Sequence, residues 1–138
     1  MRYLGLDLGT KTLGLSMSDP MGMIATSYKI LRHDQEYDKL VDMLSEIITE
    51  NNVKELVLGF PKNMNNTVGE RGEIALAFKE KLEARYNLPV HMQDERLSTV
   101  EAENILISND TSRKKRKKVI DSLAATIILQ SYLDRKGR

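Results

Sequence analysis

The chain opens on a period of two. From Tyr3 to Leu8, Leu4, Leu6 and Leu8 alternate with Tyr3, Gly5 and Asp7. After Gly9-Thr10 the alternation resumes, with Leu13, Leu15 and Met17 set against Gly14, Ser16 and Ser18. Residues two apart share one face of a strand, so both stretches predict strands. Asp19-Pro20-Met21-Gly22 combines turn formers, and a third strand over about Ile24 to Leu31 completes an expected antiparallel meander. The period then lengthens. Tyr37, Leu40, Val41, Leu44, Ile47 and Ile48 recur at three-and-four spacing, predicting one helix that Asn51-Asn52 ends. Glu55 to Phe60 reads as a buried strand stopped by Pro61. Beyond the polar stretch KNMNNTVG, the pattern Thr67-x-x-Glu70 offers a capping box for a helix whose apolar stripe is Ile74, Ala75, Phe78 and Leu82. Asn87-Leu88-Pro89 ends that helix, and Pro89 to Gln93 predicts a fifth strand. Ser98-x-x-Glu101 caps an expected third helix through Ile107, and a last helix is expected from about Lys117 to Leu133.

This order, βββαβαβα(α), predicts an α/β fold: one domain over residues 1–138, with a mixed five-stranded sheet and helices on both faces. A chain of 138 residues buries about two-thirds of its unfolded surface, so it needs no disulfide or metal staple to fold. The absence of cysteine excludes thiolate nucleophiles and cysteine-bound metal centres. His33 and His91 stand apart in the sequence and are read as a loop and a strand position. Chemistry is therefore left to carboxylates, hydroxyls, lysines and arginines. The 21 basic and 20 acidic residues nearly cancel, yet RKKRKK runs unbroken from Arg113 to Lys118. Such a run suits phosphate contacts, with a solvated loop as the competing explanation. The sequence has no signal-like N-terminus and no apolar run of membrane-spanning length, so the expectation is a cytoplasmic protein without membrane contact.

Three acids stand out. Asp7 interrupts a strand of Leu, Gly and Tyr, where an unpaired carboxylate is costly; it can also bond the amides of the turn before Gly9. Asp94-Glu95-Arg96 follows the fifth strand at its carboxyl end, where a surface Glu–Arg pair is the simpler alternative. If the first, fourth and fifth strands are parallel neighbours, the outer two lie about 10 Å apart, within reach of two carboxylates sharing a cation. Asp121 lies at the margin of the last helix's stripe, formed by Ile120, Leu123, Ala124, Ile127 and Ile128. If that helix starts near Lys117, Asp121 can instead be an early-turn acid favoured by the helix dipole. Taken together, Asp7, Glu95 and Asp121 form a candidate set for Mg²⁺ or Mn²⁺, suited to activating water against a phosphodiester.

The segments Gly5-Leu-Asp-Leu-Gly9 with Gly14, Ser18-Asp19, Gly59-Phe-Pro61 with Met64, Asp94-Glu-Arg-Leu-Ser98 and Lys118-Val-Ile-Asp-Ser-Leu-Ala-Ala125 occur in this order over nearly the whole chain. This ordered set resembles the YqgF family, described both as Holliday junction resolvase-like proteins and as pre-16S rRNA nucleases. The resemblance implies an RNase H-like fold with the first strand central, a metal-dependent nuclease, and a role in maturing small-subunit ribosomal RNA. By position it implies Asp7, Glu95 and Asp121 as catalytic and metal-binding acids, with Asp94 a candidate fourth. Arg96 and Lys118 are implied as phosphate contacts, joined by Arg113, Lys114, Lys115, Arg116 and Lys117. The chain departs from relatives at Thr12-Leu13-Gly14, where Arg-Ile-Gly is common, and at Asn65-Asn66. It carries Gly59-Phe60 where junction resolvases of this fold place an acid at the end of the fourth strand.

Two alternatives are weighed beside an enzyme on precursor ribosomal RNA, expected as a monomer or homodimer. One is a DNA endonuclease for branched junctions, and the other is a non-catalytic RNA-binding assembly factor. Asp7-x-Gly9 with Gly14 also resembles the first phosphate loop of the actin and sugar-kinase superfamily, whose ATPases need a second domain.

Overall fold

A computed structural model describes residues 2–61, 69–94 and 113–136, with the main chain alone for 113–122. Five strands, β1 (Arg2–Leu8), β2 (Thr12–Ser18), β3 (Ala25–Arg32), β4 (Val53–Phe60) and β5 (Val90–Asp94), form one sheet. Around it lie α1 (Tyr37–Met43), α2 (Ser45–Glu50), α3 (Glu70–Tyr86) and α4 (Arg113–Lys136). The strand order is β3-β2-β1-β4-β5. β1 pairs antiparallel with β2 and parallel with β4, and β4 pairs parallel with β5. The meander and the parallel half of the sheet thus meet at a central β1, as the family resemblance implies.

Alternation along β1 divides two cores. Leu4, Leu6 and Leu8 point into the larger one, with Leu40 of α1, Leu44 between α1 and α2, and Phe78 and Leu82 of α3. Tyr3 points the other way, into a smaller core with Ala25, Val57, Ile128, Leu129 and Leu133 under α4. Ser16 and Ser18, on the polar side of the β2 alternation, are buried because α4 covers that face. An alternating strand shows which residues share a face, but both faces close when helices flank the sheet.

Three expected boundaries shift. The single helix expected across Tyr37 to Ile48 is divided at Leu44, whose amide donates to the Val41 carbonyl at 3.1 Å, three residues back. That tighter turn breaks the α ladder while Leu44 stays fully buried, so the apolar stripe continues through the division. In α3 the extended residue before the helix is Gly69, and Glu70 is the first helical residue instead of the third one of a capping box. The first bond of the helix runs from the Glu73 amide to the Gly69 carbonyl. Finally, α4 begins at Arg113, so the basic run belongs to the helix instead of preceding it. Lys and Arg are good helix formers, and a helix anchored downstream on the sheet propagates through them. Thr67 and the expected Ser98 to Ile107 helix lie outside the described residues. Among the described residues, no helix is long and apolar enough to cross a membrane.

Candidate active site at the carboxyl end of the central strand

Asp7 is the penultimate residue of β1, on the face turned toward α4 with Tyr3 and Gly5. Its partner across β2 is Gly14. On the other side, Leu6 pairs with Leu58, so Gly59 is the next residue of β4. The strand residues on either side of Asp7 are thus both glycines, and Asp7 is partly exposed. This glycine-flanked carboxylate, a hard oxygen donor, suits Mg²⁺ or Mn²⁺.

The turn after β1 is braced from two sides. Gly9 N–H donates to the Thr12 carbonyl at 2.8 Å. His33 donates through Nε2 to the Gly9 carbonyl at 2.9 Å and accepts the Gln35 amide at Nδ1. Arg71, in the first turn of α3, donates to the Leu8 carbonyl at 3.1 Å. The sequence reading missed both bracing roles, because they join segments far apart in the chain with no motif between them.

Contacts along α4 set its direction over β1. Lys136 bonds the Tyr3 hydroxyl and lies 4.5 Å from the Tyr3 ring centre. Two residues along β1, Gly5 is met by Leu129 and the Ala125 carbonyl. The helix therefore runs antiparallel to the strand. Two strand residues advance about 6.6 Å and four helical residues about 6 Å, so the next step pairs Asp7 with the turn of α4 that contains Asp121. Because α4 starts at Arg113, Asp121 lies beyond its first two turns. The early-turn dipole explanation for that acid is thereby removed, since the dipole acts within the terminal turn. Lys118 lies three residues before Asp121 on the same helix.

Asp94 ends β5 opposite Phe60. Val90 and Met92, which share its face by alternation, pack into the larger core. Asp94 is thus on the opposite side of the sheet from Asp7, which counts against it as a fourth acid of the same site. Glu95 and Arg96 lie outside the described residues. So do the side chains of Asp121, Arg113, Lys114, Lys115, Arg116, Lys117 and Lys118. Among the described residues, no three His, Asp or Glu side chains form a metal-ligating cluster.

A second polar group lies near the amino ends of β1 and β4. Neither histidine is isolated in space: His91 Nε2 is 2.7 Å from a Glu55 carboxylate oxygen, and its ring stacks on Tyr132 at 4.9 Å. Burial pushes the Glu55 pKa up, but hydrogen bonds from His91 and Tyr3 and the positive charges of His91 and Lys136 outweigh it and hold the carboxyl below its ordinary value. Tyr3 and Asp7 are about 13 Å apart along β1, so this cluster serves to anchor α4, away from the candidate site.

A central strand with an acid at its carboxyl end, three antiparallel strands continued by two parallel ones, and a long final helix laid across the acid-bearing face define an RNase H-like domain. The fold matches Thermus thermophilus RuvC in complex with a Holliday junction substrate, with a TM-score of 0.56 at 14% identity, covering 99% of this chain and 96% of that one. It also matches the yeast mitochondrial Holliday junction resolvase, with a TM-score of 0.51 at 10% identity over 96% of this chain and 80% of the other. The chain belongs to the RuvX family, described as Holliday junction resolvase, whose family model matches residues 1–135. Relatives named "Putative pre-16S rRNA nuclease" are 56% identical in Bacillus pumilus and 54% identical in Bacillus subtilis. Each alignment covers 97% of this chain and 98% of the relative.

Proposed function

We propose that this RuvX-family nuclease hydrolyses phosphodiester bonds in a precursor of 16S ribosomal RNA. Asp7, Glu95 and Asp121 would hold Mg²⁺ or Mn²⁺, and the Arg113 to Lys118 run, with Arg96, would hold the phosphate backbone. The observation that carries this reading is Asp7 itself: a carboxylate between two glycines at the carboxyl end of the central strand, facing a helix whose register leads to Asp121. The face of Asp94, opposite that of Asp7, counts against Asp94 as a member of this set. The choice of RNA follows the names of relatives that share more than half of this sequence.

A bound divalent cation supplies Lewis acidity and lowers the pKa of water. The protein's own contribution is positioning and charge. Asp7 stands on the central strand of the sheet, so its carboxylate is held at a fixed point at the carboxyl edge, where the substrate would approach. The first turn of α4 contains no acid, and its basic residues stand where the helix dipole already concentrates positive potential. That arrangement opposes helix formation locally, and a phosphate backbone laid across the turn offsets it. Hydrolysis without a covalent intermediate needs no thiol, which accords with a chain that has none.

A second reading, cleavage of four-way DNA, draws on the family description and on the RuvC-like fold. Both are tested by cleavage and binding assays of the wild type and Asp7→Asn on precursor 16S RNA and on four-way DNA, with Mg²⁺, Mn²⁺ or EDTA. The proposal expects metal-dependent cutting of RNA that Asp7→Asn abolishes without loss of binding. Preferred cutting of the DNA would select the junction reading. Binding without cutting by either protein would leave an RNA-binding assembly factor.

A further inference from the structure

Ser16 is fully buried, and its hydroxyl donates to the main-chain carbonyl of Ala125 in α4 at 2.7 Å. Ser16 pairs with Gly5 across β2 and β1. A Cβ placed on Gly5 would stand 2.2 Å from the Ser16 oxygen, 2.8 Å from the Leu129 Cβ and 3.1 Å from the Ala125 oxygen. The hydroxyl thus occupies the space that any other residue at position 5 would claim, and the helix approaches the strand to backbone distance. The Ala125 carbonyl already receives the Leu129 amide of its own helix, and Ser16 uses its second lone pair. A buried hydroxyl left unpaired is costly, so Ser16 accepts only those heights and registers of α4 that bring Ala125 within reach. Thr126 and Gln130 also bond the sheet, but to Ser27 and Ala25 of the edge strand β3, farther from Asp7.

Gly5 precedes Asp7 by one step on the same face of β1, and Ala125 follows Asp121 by one helical turn. The geometry points to Ser16 as a positioning residue. By holding Ala125 against Gly5, it sets the height and register of α4 over β1, and with them the separation of the Asp7 and Asp121 main chains. This rests on the reading that those two acids share a divalent ion.

The test compares full-length wild type, Ser16→Ala, Asp7→Asn and Leu133→Ala by Mn²⁺ titration calorimetry, thermal unfolding in EDTA, and kcat and KM for RNA cleavage. Ser16→Ala leaves the Ala125 carbonyl its helical partner and is expected to fold. It should weaken Mn²⁺ binding by about tenfold or more, as loss of groups that orient metal ligands commonly does. It should also lower kcat at fixed metal while KM for RNA holds. Leu133→Ala loosens the same helix at its far end, and should lower Tm at least as much while leaving Mn²⁺ binding unchanged. Ser16→Cys, similar in shape but a weaker donor, should fall between Ser and Ala. Wild-type Mn²⁺ affinity in both Ser16→Ala and Ser16→Cys would overturn the proposal. So would losses of affinity that simply follow Tm across all variants. Equal Mn²⁺ binding by wild type and Asp7→Asn would instead overturn the shared-ion reading, and Ser16's role with it.

Discussion

Asp7 lies between Gly14 and Gly59 on the neighbouring strands, so neither strand neighbour contributes a side chain beyond hydrogen at that level of the sheet. Asp7→Asn preserves shape and removes one negative charge, which makes it a clean probe of a metal-binding role. Several kcal/mol of transition-state stabilisation rest on such a site, so single-turnover cleavage should fall by at least about a hundredfold. RNA affinity in a filter-binding assay should hold or rise, because a charge repelling phosphate is gone. Glu55 gives a second prediction at this scale. Its folded pKa lies below the ordinary value of 4.5, so the stability it contributes is fully present above that value and is lost as pH falls through the depressed pKa. Thermal unfolding of wild type should therefore weaken below about pH 4.5 more steeply than that of Glu55→Gln. Equal acid limbs would mean that the His91 and Tyr3 contacts do not favour the ionised form.

At the scale of elements, α4 has two parts of different character along one axis. Its second half buries Ala124, Ala125, Ile128, Leu129 and Leu133 against the sheet, while its first turns concentrate the basic run. Ile128→Ala, at a fully buried position, should cost about 2–5 kcal/mol in denaturant unfolding, the usual range for a core deletion of this size. Lys114→Ala and Lys115→Ala should leave stability nearly unchanged. If both lysines meet phosphates, each substitution flattens the dependence of log affinity on log salt by about 0.7–0.9, measured by RNA binding across a salt series. Ala124 and Ile128 of the expected stripe were legible because they repeat at helical spacing, but the buried face is turned toward Ala125 and Leu129, and Leu123 and Ile127 are only half-buried. The helix start was not legible, since six adjacent cations read as a repelling, solvated segment until the buried half of the helix supplies an anchor from which they extend.

For the molecule as a whole, acids far apart in the chain are expected to share one cation, which links metal binding to folding. Mn²⁺ at about 100 times its dissociation constant should stabilise the wild type by about 2.7 kcal/mol by mass action. EDTA should reverse this in a thermal melt, and Asp7→Asn should show no such gain. Identical melts of the wild type with and without metal would count against the shared ion.

The sequence alone determined the strands and the ordered motifs of the family, because periodicity and short spacings record local geometry, while the central place of the first strand came through the resemblance that those motifs carry. It also singled out Asp7, the one acid of the first strand. Only the tertiary structure decided that Asp94 lies on the face opposite Asp7, that Ser16 is buried beneath α4, that His91 pairs with Glu55, and that Arg71 and His33 brace the turn beyond the central strand. Each of these depends on which strands become neighbours and which face a helix covers. Those outcomes follow from long-range packing, where residues more than a hundred positions apart, such as Ser16 and Ala125, meet without any local pattern to announce it.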